Sequence, residues 1–399
     1  METIPFALPF TGAEEAAAVL RTLHSGWLTT GGETLAFEKE FLEFLTQPPG
    51  NNQPGSPAPP ELHCMAVNSA TSGLHLALEA CGVRGGDLVL VPSYTFTSTA
   101  EVVRYLGADP VFVDVRPGTF HMDPAALEQT LGRLPEGKAK AVIPVHFGGL
   151  PCGMEAILEI ARKYTLKVIE DAAHSFPSFI AEGGPRWAGT IGDAGVFSFY
   201  ATKTITTGEG GMVVCKDEAI AHRISIMRSH GIDRNVWNRY TDTGASWYYE
   251  VVEAGYKYNM PDLLAAVGRA QLSRAADLLR MRLEIAAAYD AAFQDDSRFV
   301  IPPTGPGDAR HLYPLRLNPQ QAAVSRDECI QRLKARGIGV SVHFIPLHIM
   351  PFYQKRYSLA EDDFPETMKS FRQEISLPVW PGMSAAQVRR VIAEVRASA

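Results

Sequence analysis

The sequence predicts an α/β protein whose larger part is built on a mostly parallel sheet. Between about Cys64 and Val214, short apolar runs alternate with amphipathic stretches, the pattern of buried strands joined by crossover helices. After Pro261-Asp262 the pattern changes to long Ala/Leu/Arg-rich helical spacing and then a mixed segment, as expected of a smaller C-terminal α+β domain. At 399 residues the chain exceeds the usual span of one core, so two domains are expected, 1–269 and 270–399.

In chain order, residues 37–45 space aromatic and leucine side chains as a helix does. Residues 47–60 hold six prolines, two glycines and two asparagines, which denies them a regular hydrogen-bonded ladder. Because strand-like sequence begins only after it, this stretch reads as a surface insertion in the larger domain rather than an interdomain linker. Strands are expected at residues 89–91, 111–113, 141–143 and 168–169. Between them, residues 98–106, 124–131 and 154–164 have helical spacing and mostly end near glycine or charged side chains. Buried strands separated by helices imply parallel pairing. In the second domain, helical sequence reaches Phe293 and strands are expected near residues 312–317 and 340–344.

With 46% hydrophobic and 20% charged residues the composition is that of an ordinary globular protein. A net charge of −7 without a basic stripe argues against a nucleic-acid partner. No uncharged apolar stretch reaches membrane-spanning length and the first residues lack a signal-peptide pattern, so a cytoplasmic protein with no membrane partner is expected. Five scattered cysteines fit a reducing compartment. His343 and His348 have neither the i, i+4 spacing nor the neighbours of a metal site, so no metal is expected.

Three segments carry chemistry. Lys203 follows Ser198-Phe199-Tyr200-Ala201-Thr202 and precedes a turn rich in Thr and Gly, a setting suited to a lysine that bonds to an aldehyde cofactor. Asp171 ends the apolar run before Ala172-Ala173-His174, at the carboxyl end of an expected parallel strand, where open sheets place ligands. Its carboxylate suits a pyridine nitrogen, yet a strand-end aspartate also caps turns, and the segment alone leaves both readings open. Thr71-Ser72-Gly73 opens an Ala/Leu-rich helix, where small residues and the helix dipole favour a phosphate, or where a hydroxyl simply caps the helix. An aldehyde, a pyridine nitrogen and a phosphate together describe pyridoxal 5'-phosphate. His174 faces such a ligand or sits as a satisfied half-buried histidine. Phe96 stacks on a ring or belongs to the core. The glycine-rich signatures of dinucleotide and nucleoside-triphosphate sites and the Gly-x-Ser-x-Gly of hydrolases are missing.

Further motifs stand in a characteristic order: Ser25-Gly26-Trp27-Leu28-Thr29-Thr30-Gly31, Asn68 to Gly73, Pro144-Val145-His146, Glu170 to His174 and Ser198 to Gly211. Ser229-His230-Gly231, Gly255-Tyr256-Lys257-Tyr258-Asn259-Met260, Ala265-Ala266-Val267-Gly268, Val342-His343-Phe344 and Ser376-Leu377-Pro378 follow. Over nearly the whole chain this series resembles the DegT/StrS-type (DegT/DnrJ/StrS) sugar aminotransferases. The resemblance implies an aspartate-aminotransferase-like fold, PLP fold type I, with a three-layer large domain. It implies that Lys203 bonds the cofactor aldehyde, Asp171 pairs with the pyridine nitrogen, His174 lies near the ring hydroxyl and Phe96 stacks on the ring. Thr71, Ser72 and Ser198 would hold the phosphate, and Lys257 or Asn259 would reach it from the second subunit of a homodimer with shared active sites.

Lys203 stands where related sugar dehydratases carry histidine, which implies transamination. The implied activity moves the amino group of L-glutamate to a nucleotide-linked keto sugar by a ping-pong mechanism, as in amino-sugar, polysaccharide or lipopolysaccharide-modification pathways. Lys257 and Asn259 resemble the UDP-4-amino-4-deoxy-L-arabinose–oxoglutarate aminotransferases, whereas many relatives have Asn and Arg there, so a UDP-4-keto sugar comes first. A keto-cyclitol aminotransferase and a non-catalytic pyridoxal-phosphate-binding regulator are the alternatives. Arg234, Asn235, Trp237, Asn238, Arg239 and Tyr240 offer polar and aromatic contacts to a nucleotide or form a solvated loop. His343, His348 and Tyr313 are candidate sugar contacts from the smaller domain.

Overall fold

The computed structural model describes residues 3–49, 61–181, 185–233 and 248–399. Most of the insertion expected at 47–60 and all of the nucleotide-contact candidates at 234–240 lie outside the described residues. Nine strands form in the first two thirds of the described chain: β1 (His63–Val67), β2 (Leu88–Pro92), β3 (Asp109–Val113), β4 (Ala139–Val142), β5 (Lys167–Asp171), β6 (Phe179–Ile180), β7 (Arg186–Trp187), β8 (Ala194–Ser198) and β9 (Gly211–Cys215). Seven of them make one sheet in the order β1-β9-β8-β5-β4-β2-β3, and β6 pairs with β7 apart from it.

The steps from β3 through β2, β4 and β5 to β8 are parallel, as the alternation of apolar runs and helices predicts. The helices expected between them are present at Thr97–Tyr105, Pro124–Leu131 and Met154–Tyr164. Strand β9 departs from the expectation of parallel pairing and runs antiparallel to both β8 and β1. Residues 199–210 join β8 to β9 without a crossover helix, and so short a return brings the chain back in the opposite sense. The returning turn carries Lys203.

Local chemistry sets the helix starts. Asp123 accepts the Ala125 N–H at 3.1 Å with Pro124 in the first turn, and Asp217 accepts the N–H groups of Ala219 and Ile220 at 2.7 and 3.3 Å ahead of the helix Glu218–Met227. Ser69 caps the helix Ala70–Ala80. This helix lies close on the sheet because Gly73 has no side chain: a Cβ there would stand 2.7 Å from Val196 Cγ1. On the sheet's other face Phe37, Phe41, Phe176, Phe197 and Phe199 form an aromatic core with the helix Gly32–Thr46.

A second sheet, β10 (Phe299–Val300), β11 (Tyr313–Leu317) and β12 (Glu374–Leu377), is antiparallel and packs Tyr289, Phe293, Leu333 and Val391 into a separate core. Ile4 joins that core and bridges Ile338. The strand expected at 340–344 is reduced to one bridge, Ser341 to Ser376. Beyond it the chain leaves the ladder, since the His343 N–H donates to the Glu374 side chain at 3.0 Å rather than to a strand carbonyl.

Candidate active site

Side chains alternate along a strand, so the neighbours Glu170 and Asp171 at the end of β5 serve opposite faces. Glu170 is buried under the loop at 189–192, where its carboxylate accepts the N–H groups of Gly189, Ile191 and Gly192 at 2.9, 2.6 and 2.7 Å. It also meets His146 Nε2 at 2.9 Å. Burial works against the charge on Glu170, while His146 and the loop N–H groups hold it below its ordinary value; the Cys152 N–H donates to His146 Nδ1 at 3.1 Å, which leaves the ring proton on Nε2, facing the carboxylate. Glu170 therefore adds stability that is present above its unfolded pKa and lost as pH falls through its lowered one. Glu170→Ala is expected to cost about 3–5 kcal/mol, because it leaves the buried His146 Nε2–H and the N–H groups of Gly189, Ile191 and Gly192 without their acceptor. Denaturant unfolding at neutral pH would show this, and an unchanged midpoint would contradict it.

Asp171 faces the other way, into a cavity of about 420 Å³ at the carboxyl ends of β1, β5 and β8. Thr71, Phe96, Asp171, His174, Ser198 and Lys203 all line it. The register explains their convergence, since Val67, Gly211 and Ser198 stand in one row across β1, β9 and β8. Gly211 is required there, because a Cβ would approach the Ala70 nitrogen to 2.8 Å and push the helix start away from the cavity.

Asp171 accepts a hydrogen bond from Thr99 Oγ1 at 2.8 Å on Oδ2 and from the Ala173 N–H at 3.1 Å on Oδ1. Burial raises its pKa, with Thr99, Ala173, Lys203 and His146 opposing that rise. Enclosure pushes the Lys203 amine down to about 7; the Asp171 charge resists this and the Arg282 guanidinium adds to it. His174 is kept neutral by burial and by Lys203 and His343. Its Nδ1 accepts the Gly148 N–H at 3.3 Å, which leaves the ring proton on Nε2. Phe96, 53% exposed, rests its ring 5.6 Å from Phe344.

Three expected residues lie off the cavity wall. Ser72 donates to Asn68 Oδ1 at 2.7 Å and shares a reciprocal cap with Ser69, so its hydroxyl does what a helix-start serine ordinarily does. Lys257 is exposed and bridges Ser229, and Asn259 donates to Thr30 Oγ1 at 2.6 Å and bridges Val67 at the end of β1. Of the sugar-contact candidates only His343 lines the cavity. His348 is buried against Ser93 Oγ at 2.5 Å, and Tyr313 donates to Asp290 at 2.8 Å inside the second core.

Sequence reasoning missed Thr99, His311 and Arg282. Arg282 is 3% exposed and donates to the carbonyls of Val379 and His311 at 2.6 and 3.2 Å and of Thr202 at 3.3 Å. It pairs with no carboxylate among the described residues.

A model of the DegT/DnrJ/EryC1/StrS aminotransferase family matches residues 9–396. The chain belongs to that family. The aminotransferase is 44% identical to the Bacillus subtilis spore coat polysaccharide biosynthesis protein SpsC, over 98% of this chain and 96% of that one. Among solved structures it resembles the PMP form of the putative sugar aminotransferase Spr1654 from Streptococcus pneumoniae, with TM-score 0.86 and 31% identity over 99% of this chain and 98% of that one. Helicobacter pylori PseC, an aminotransferase involved in the biosynthesis of pseudoaminic acid, has TM-score 0.86 and 27% identity over 100% and 99%. The enzyme is thus a fold type I aminotransferase with pyridoxal phosphate as cofactor.

The cavity fits that cofactor on its own chemistry. It offers a depressed lysine amine, a buried carboxylate already hydrogen-bonded on both oxygens and a helix N-terminus lined by Ser69, Ala70 and Thr71.

Proposed function

We propose that the enzyme transfers the amino group of L-glutamate to a nucleotide-linked keto sugar, a UDP-4-keto sugar first among the candidates, in two successive half-reactions. The observation that carries the reading is the convergence of Lys203 and Asp171 in one cavity with cationic and histidine side chains on its far wall. The names of the relatives, a spore coat polysaccharide protein and sugar aminotransferases, favour a sugar as the amino acceptor.

When bound, pyridoxal phosphate supplies an electrophilic aldehyde and a ring that draws electrons from the carbon losing its proton. Lys203 would hold that aldehyde and, once released, move a proton between the donor Cα and the cofactor C4′. Asp171, held by Thr99 and Ala173, would keep the ring nitrogen protonated. His174 Nε2–H would donate to the ring oxygen, and Phe96 would cover one ring face. Thr71, Ser198 and the helix start at Ala70 would hold the phosphate, with Ser72 shaping that start through its cap.

The reading includes a homodimer with shared sites. Lys257 and Asn259 both lie outside their own chain's cavity, Asn259 bridging Val67 at the end of β1, and a second copy would bring one of them to the phosphate. It also includes a large domain, 1–269, and a small one, 270–399, with the cavity between their two sheets, and a cytoplasmic location. Among the described residues no helix is long and apolar enough to cross a membrane.

Calorimetric titration of the holoenzyme with UDP tests the nucleotide half of the proposal. Binding that the keto sugar displaces is expected. If UDP does not bind while a keto-cyclitol is aminated, the nucleotide sugar is the wrong acceptor.

A further inference from the structure

His343 lines the cavity with Phe6 stacked on its ring at a centroid distance of 5.2 Å. Its Nε2 has no protein partner among the described residues. Its Nδ1 lies 2.9 Å from Ser376 Oγ, and Ser376 Oγ donates to Glu374 Oε1. The other Glu374 oxygen accepts the backbone N–H of His343 at 3.0 Å. Ser376 and Glu374 are both 0% exposed and two residues apart on β12, on the face opposite Ile375 and Leu377 of the second core, so the line runs from the cavity to a buried carboxylate on the side of Tyr94.

We propose that Glu374, Ser376 and His343 form a proton relay that removes the proton of the entering amino donor's ammonium at His343 Nε2 and stores it on the Glu374 carboxylate. The N–H bond of the ammonium breaks as Nε2–H forms, and Nδ1–H breaks as its proton passes to Ser376 Oγ. The serine's own proton then passes to Glu374 Oε1. One proton has moved, one carboxylate is neutralised, and the imidazole is neutral before and after. The reverse sequence returns the proton to the amine of the product.

Two features favour this path over a simple histidine base. Burial, with Lys203 adding to it, pushes His343 down to about 4, so an imidazolium is disfavoured in a cavity that also holds Arg282. Burial raises Glu374 to about 8, against the opposing effects of Ser376, the His343 N–H and Arg326, so both of its states are populated near neutral pH. The groups facing the relay are Arg326 from the helix Arg326–Ala335, Arg316 opposite Glu374 on β11, Tyr94 after β2, and Lys203, His174 and His311 across the cavity. None of the six supplies a second carboxylate to take the proton. The relay is read from this chain alone; the identity of the proton rests on the proposed amino transfer.

Nitrogen NMR of the holoenzyme labelled at histidine, with His343 assigned through His343→Gln, reads the tautomer directly. In the wild type the proton is expected on Nδ1 at high pH and on Nε2 below about pH 8. Glu374→Gln, whose amide donates to Ser376 at every pH, should hold the Nε2–H form throughout. Ser376→Ala should abolish the step and lower kcat/KM for the donor roughly 10-fold or more around pH 8, where Glu374 becomes free to take a proton, with recovery as rising pH deprotonates the donor itself. A single tautomer at all pH values, or formation of an imidazolium near the ordinary histidine pKa, overturns the relay. A wild-type tautomer switch with an unchanged donor pH profile in Ser376→Ala overturns its assignment to the ammonium. If glutamate fails with wild type and variant alike while the switch persists, the donor reading fails and the relay stands.

Discussion

Lys203→Ala is expected to lower turnover by at least about 10³-fold while the protein still folds, because the one amine able to bond the aldehyde and carry the Cα proton is gone. Lys203 sits on the antiparallel return from β8 to β9, and the Arg282 guanidinium reaches the carbonyl of Thr202 beside it, so its backbone does not depend on the side chain. An amine pushed down to about 7 is mostly neutral above that pH. The proton-transfer rate should therefore fall about tenfold per unit as pH drops below 7, rather than below the ordinary lysine value of about 10.4. The linkage has a second consequence. A lysine whose folded pKa is lowered costs stability at every pH below its unfolded value, so the apoprotein of Lys203→Met should melt higher than wild-type apoprotein at pH 7. Single-turnover kinetics and thermal melting check both, and normal turnover in Lys203→Ala would remove the residue from the chemistry.

Asp171→Asn is expected to reduce kcat by roughly 10²–10³-fold with cofactor retained, since shape is conserved and charge is not. The carboxylate is held on one oxygen by Thr99 and on the other by Ala173, and it cannot turn away from the cavity without breaking one of them. Burial raises its pKa, so a cationic partner in the cavity is what keeps it ionised, and a protonated pyridine nitrogen is such a partner. Thr99→Val should have the same sign and a smaller effect, about tenfold, because one hydrogen bond to a charged group contributes about 1.5–3 kcal/mol at most. Unchanged kcat in Asp171→Asn would return the residue to capping the turn at Ala173.

Much of the framework was legible because its signals are local. Apolar runs alternating with amphipathic stretches gave the parallel part of the sheet, and Ser, Thr and Gly around Lys203 marked a turn at a strand end. The antiparallel course of β9 was hidden, because strand pattern carries no direction and only the missing crossover helix between 199 and 210 hinted at it. Residues 340–344 read as a strand by composition, yet the Glu374 side chain captures the His343 N–H and ends the ladder after one bridge. Thr71 and Ser72 are adjacent and chemically alike; which hydroxyl caps the helix and which faces the cavity depends on backbone geometry that spacing does not contain. Arg282 could have been found. It falls on the buried stripe of its helix with Leu278, Ile285 and Tyr289, and a charge on such a stripe asks for an explanation. Thr99 offered no such sign, since a threonine one turn into a helix is ordinary.

The most direct test is the visible absorption of the holoenzyme before and after L-glutamate, followed by a UDP-4-keto sugar. The band of the lysine-bound cofactor is expected to bleach with glutamate and to return with the keto sugar. A band that glutamate never bleaches would contradict transfer from that donor, and failure of any such band to form with added pyridoxal phosphate would contradict the role of Lys203.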